Sequence, residues 1–71
     1  MATAQLIVIY PPAEDGGRRV RAGDQFLGMA YGLVDVAEFL RRIGLEGLED
    51  TDVARMAGIE WRGGGPDSWD R

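Results

Sequence analysis

Arg18, Arg19 and Arg21 lie close together in this sequence, with Tyr31 nearby. Guanidinium groups beside an aromatic ring are suited to gripping phosphate, so these three arginines are the candidate nucleic-acid contacts. The charge of the whole chain works against that use. Eight arginines face twelve acidic residues, for a formal net charge of −4, and there is no lysine. An acidic balance disfavours general affinity for phosphate backbones, so nucleic acid is the alternative partner and not the leading one.

Gly63, Gly64 and Gly65 form a second candidate, because successive glycine N–H groups can cradle an anion. A phosphate-binding loop also leads into a helix, often with Lys and Ser or Thr after it, and neither helix nor Lys follows here. The acidic neighbours Glu49 with Asp50 and Asp67 with Asp70 sit in connections. Nothing in their spacing makes them converge as a hydrolase pair or a hard-cation site.

The chain has no His and no Cys. It therefore lacks the commonest general base near neutral pH, the usual zinc ligands, and both the Ser-His and Cys-His nucleophile pairs. These residues predict a protein that is not an enzyme, with no cofactor and no metal. The apolar run near the start has no basic flank and is too short to span a bilayer or to act as a signal segment. The expected home is the cytoplasm, with no membrane partner. Rich in Gly, Ala, Arg and Asp and without Lys or Asn, the composition is one that a GC-rich bacterial genome would produce.

The elements that must position these groups are organised around residues 33–45. Leu33, Val36, Ala37, Leu40 and Ile43 recur at helical spacing, with Asp35, Glu38, Arg41 and Arg42 on the opposite side. Gly32 is an acceptable N-cap, and Gly44 followed by Leu45 reads as a Schellman stop. Arg41 and Arg42 are expected to pair with Glu38. Before this helix, residues 5–10 are apolar without interruption and end at Pro11-Pro12, which reads as a central strand. Residues 18–22 and 25–31, joined by Gly23-Asp24, read as a hairpin with a II′ turn. The arginines suggest an edge position for its first strand. In the second strand Phe26, Gly28 and Ala30 share one face and Leu27, Met29 and Tyr31 the other, so the small residues would let the helix approach closely. Asp50 or Thr51 is expected to cap a short second helix carrying Val53 and Met56, closed by Gly58. Residues 59–62 read as a last strand with Ile59 and Trp61 inward.

The result is an α+β domain of two layers. A three-stranded antiparallel meander gains a fourth strand after the helix; if that strand runs parallel to the first, a right-handed crossover sets it beside the first and leaves that one central. Residues 1–62 form this single domain, and residues 63–71 a Gly-rich tail that is either flexible or held by something. The doubly apolar strands are the most informative feature. One helix covers one sheet face, and the remaining apolar residues ask for a second cover. Ile7, Ile9, Leu27, Met29, Tyr31 and Trp69 are the candidate partner-binding set. Trp69 either docks beside Trp61 or anchors a partner. The expected function is a small protein-interaction module, accessory or regulatory, whose partner is a second copy of itself or a different protein.

Overall fold

A computed structural model describes residues 7–69 of the chain. Its elements are β1 (Ile7–Ile9), β2 (Arg18–Ala22), β3 (Gln25–Ala30), α1 (Leu33–Arg42), α2 (Asp50–Arg55) and β4 (Ile59–Trp61). The strands form one sheet in the order β3-β2-β1-β4, with β4 parallel to β1 and the other neighbours antiparallel. This is the expected small α+β layout, with the first strand inside the sheet. Gln5 and Leu6, expected to begin that strand, lie outside the described residues. Tyr10 follows it and still donates its N–H to the Arg19 carbonyl (2.9 Å) before the two prolines end the ladder.

The arginine-rich strand is not at an edge. β2 lies between β1 and β3, and strict alternation makes that possible. Val20 opposes Ile9 and Ala22 opposes Ile7, so Arg18, Val20 and Ala22 face one layer while Arg19 and Arg21 face the other. Gly23 starts the hairpin turn at φ 61°, and Asp24 keeps a negative φ, as a II′ turn requires. Further along, Val20 opposes Gly28 but Arg21 opposes Phe26, so Leu27 is an extra residue in β3. This bulge changes the expected faces of two residues. Phe26 moves to the side of Arg21 and is 57% exposed, while Leu27 packs against the core.

Ile7, Ile9, Val20, Ala22 and Ala30 from the sheet are buried with Val36 and Leu40 of α1 and Val53 of α2. Both helices therefore cover the same sheet face. The small residues of β3 let α1 come close: a side chain at Gly28 would lie 2.8 Å from the Phe39 ring. The helix ends as its sequence implies. Gly44 takes φ 103°, its N–H reaches the Arg41 carbonyl (3.0 Å), and the Leu45 N–H reaches the Leu40 carbonyl (3.0 Å), the two bonds of a Schellman motif. Asp35 accepts from the Tyr31 N–H (2.8 Å) at the other end. Arg41 pairs with Glu38 (2.9 Å), whereas Arg42 lies over the Phe39 ring (5.4 Å) and not on Glu38. In α2 the cap is Glu49, one residue before the expected Asp50, because the Asp52 carboxylate accepts from the Glu49 N–H (2.9 Å). That helix stops at Met56, two residues before Gly58.

Arg18 occupies the core-facing side of β2 and is 0% exposed. Its five N–H donors meet five backbone carbonyls: Nε donates to Tyr10 (2.8 Å), Nη1 to Gly65 and Ser68, and Nη2 to Arg62 and Gly64 (all 2.9 Å). Trp61 and Trp69 close the cage with their rings 5.4 and 5.3 Å from the guanidinium carbon, and they meet each other edge to face at 6.3 Å. Residues 63–69 are thus held against the domain, with Trp69 docked beside Trp61. The path is tight. A side chain at Gly63 would lie 2.6 Å from Pro11 Cβ, and one at Gly64 2.7 Å from Ser68 Cβ. The glycine run turns carbonyls toward a cation here, where its sequence suggested N–H groups toward an anion.

Lysine cannot fill this cage, since three ammonium donors leave at least two of the five carbonyls unpaired. Arg18→Lys is expected to cost about 2–4 kcal/mol. For a domain of this size that lowers the thermal midpoint by roughly 10–25 °C, measurable by scanning calorimetry.

Candidate interaction surface

The sheet face opposite the helices is built by the same alternation. Val8 pairs in register with Arg21 on one side and Glu60 on the other, Arg19 opposes Met29, and Arg21 opposes Phe26. Tyr10 and Arg62, each two residues beyond Val8 and Glu60 on adjacent strands, continue the face. No helix among the described residues lies over it.

Just past the end of β1, the half-buried Tyr10 ring gathers the cations of this face. The guanidinium carbons of Arg19, Arg21 and Arg62 stand 5.6, 5.5 and 5.3 Å from the ring centroid. Any two of these cations are therefore no more than about 11 Å apart, held there by attraction to the ring quadrupole. Arg62 is also paired with Glu60 (2.6 Å), and that bond holds its guanidinium above its usual pKa. Among the described residues Arg19 and Arg21 have no carboxylate partner, and the buried Nε of Arg21 has no hydrogen-bond acceptor. An orphan donor of this kind is costly to leave unpaired. The buried Nε is closed to an outside group, so it is the guanidinium ends of Arg19 and Arg21, free of a carboxylate among the described residues, that can meet an anionic oxygen from outside the chain.

The residues singled out by the sequence fall in three places. Ile7 and Ile9 are 1% and 0% exposed beneath the helices, so they belong to the core and not to a free face, and Leu27 joins them there through the bulge. Met29 lies on the open face opposite Arg19. Tyr31 and Trp69 stand at the end of the sheet, away from its centre, and Trp69 is committed to Arg18. Of the three arginines, Arg19 and Arg21 share the open face, while Arg18 is sealed in its cage. Tyr10, Phe26 and Arg62 were missed as site residues. The signal for Tyr10 and Arg62 was present, since each follows a core-facing residue of its strand and must face the other way. Phe26 carried no such mark, because its face is set by the bulge.

Tyr31 has its own arrangement. Its hydroxyl donates to Asp15 (3.0 Å), whose carboxylate also accepts the Gly17 N–H (2.9 Å), and the ring packs where a Gly17 side chain would otherwise stand. The Gly17 bond first, and the Tyr31 bond second, hold the Asp15 carboxyl below its ordinary pKa. The bond to Asp15 lifts the Tyr31 phenol above its ordinary value.

Comparison of the chain with family models, with curated proteins and with solved structures finds no match in any of the three. Among the described residues no group of three potential ligands is placed to hold a metal ion, and no helix is long and apolar enough to cross a membrane.

The two shifts set opposite pH limits on the Asp15–Tyr31 bond. A lowered carboxyl stabilises the fold above its unfolded pKa and loses that contribution as pH falls through the folded value. A raised phenol stabilises below its unfolded pKa and loses it as pH climbs through the folded one. In a Tyr10→Phe background, phenolate absorbance is expected to show Tyr31 ionising above the ordinary tyrosine range. Adding Asp15→Asn should bring that midpoint down.

Proposed function

We propose that this chain is a small non-enzymatic protein-interaction module whose working surface is the open sheet face around Tyr10. The observation that carries this reading is the trio of guanidinium groups on one aromatic ring, two of them without a carboxylate among the described residues. Such a surface favours a partner that brings carboxylates, since arginine forks pair with them bidentately. Exposed Phe26 and the neighbouring Met29 supply apolar contact at its side. A composition without His or Cys supports the non-enzymatic part of the reading.

The same charges argue about the partner's identity. A symmetric dimer through this face would set Arg19 and Arg21 of one copy against those of the other, a like-charge juxtaposition that opposes association. The partner is accordingly a different protein with an acidic face, met in the cytoplasm, the compartment expected from the sequence.

A second reading rests on Phe26. With an exposed ring on the same open sheet as Arg19 and Arg21, the face has the parts of a single-strand binding platform, in which bases stack and arginines hold phosphates. The net charge of −4 stands against it.

One comparison tests both. The chain, immobilised in a native bacterial extract, is expected to retain a specific protein. Arg21→Gln with Arg62→Gln should weaken retention about 30-fold, the effect of a central hot spot of roughly 2 kcal/mol. Arg42→Gln with Arg55→Gln, the same change in net charge on the helical layer, should not. Equal retention by folded versions of both double variants would sink the proposal. Binding of a mixed-sequence oligonucleotide at low salt, lost in the first double variant alone, would replace it with the second reading.

A further inference from the structure

The helical layer has a surface of the opposite kind. Two depressions run along α1, one of about 510 Å³ between its first turn and the docked residues 66–69, the other of about 370 Å³ between its exposed side and the segment leading into α2. Both are lined by Val34 and Asp50, so the two depressions adjoin and together make a groove along α1. Its apolar lining includes Val34, Leu48, Tyr31 and Trp69. Val34 is 67% exposed and Tyr31 53%.

The charges along this groove are one-sided. Asp35, Glu38, Glu49, Asp50 and Asp67 line it, against a single cation, Arg41, which is already tied to Glu38 at 2.9 Å. These carboxylates are spread along the groove and do not converge, since among the described residues no three potential ligands are close enough to hold a metal ion. Spaced single negative charges flanking an apolar strip match spaced single positive charges flanking an apolar side chain. The aromatic walls favour the same occupant, because Tyr and Trp attract guanidinium and ammonium groups.

We propose that this groove is a docking site for a basic peptide segment of a partner protein, with Arg or Lys on both sides of an apolar anchor. The anchor sits on Val34 between Tyr31 and Leu48, and the flanking cations meet Asp50 in the middle and Asp67 and Glu49 toward the two ends. The site is separate from the sheet face, and its partner carries the opposite charge.

The test uses a fluorescein-labelled peptide of two arginines, a Trp-Leu pair and two arginines, read by anisotropy at low salt. Three further measurements accompany it: the same peptide with glutamate for arginine, the arginine peptide with Gly-Ser for Trp-Leu, and light scattering of the protein alone. The arginine peptide is expected to bind, and both control peptides at least tenfold more weakly. Val34→Asn and the pair Asp50→Asn with Asp67→Asn should each weaken binding tenfold or more, while Arg21→Gln with Arg62→Gln leaves it unchanged. Val34, Asp50 and Asp67 are exposed, so their variants, and the Arg21 and Arg62 pair, are checked for an unchanged thermal midpoint. Equal binding of the Gly-Ser peptide would show diffuse charge attraction and overturn the proposal. So would undiminished binding by the Asp50 and Asp67 variant. A molar mass that rises with concentration and falls back in Val34→Asn would make a second copy the occupant, and would also overturn it.

Discussion

Arg18 is a buried cation whose donors are met by peptide carbonyls and by no carboxylate. Taking a guanidinium out of water costs several kcal/mol unless every donor is met. Here the count closes, because a guanidinium has five N–H groups and five carbonyls are aimed at them. Burial pulls its pKa below the usual arginine value, yet a guanidinium stays charged at any pH at which a protein folds. The chain must therefore surround it completely. Those carbonyls come from Tyr10 and from residues 62–68, so one side chain ties the end of β1, the exit of β4 and the glycine run to the core face of β2. The two tryptophans complete the enclosure and keep water from competing for the same donors.

The layers on either side of the sheet acquire opposite characters from this arrangement. β2 carries three arginines, and alternation sends one inward and two outward. The inward one is neutralised by dipoles and does not contribute to the outer surface. The outward two, joined by Arg62, make the open face locally cationic on a chain that is acidic as a whole. Most of the carboxylates lie on the helical layer and in its connections. The two layers thus present opposite charge to solvent, and salt screens the field of each.

Much of the frame was legible in the sequence. The spacing of Leu33, Val36 and Leu40 marks α1, Gly44 and Leu45 mark its end, and the uninterrupted run before Pro11 marks an interior strand. Given a parallel return, the place of β4 beside β1 followed from the handedness of crossovers. Two features were hidden for different reasons. The bulge at Leu27 leaves no trace in composition, because either face of β3 offers apolar residues, and it alone decides where Phe26 points. The role of Arg18 was concealed by the rule that arginine belongs outside. Its position two and four residues before Val20 and Ala22 placed it on the core face with them. Reading charge before alternation obscured that, and it also put β2 at an edge where it does not lie.

The cage also constrains the order in which the molecule can be made. Arg18 and the Ser68 carbonyl are separated by 50 residues. At a ribosome's pace of about 5–20 residues per second, roughly 3–10 s pass between the synthesis of the arginine and that of its last acceptor. Throughout that interval Arg18 lacks part of the carbonyl set that makes its burial tolerable. Arg18 must stay hydrated, which keeps the core face of the emerging sheet from sealing early. The core face of β2 is thus completed only when the glycine run arrives, and a chain halted before Arg62 would leave Arg18 without four of its five carbonyls.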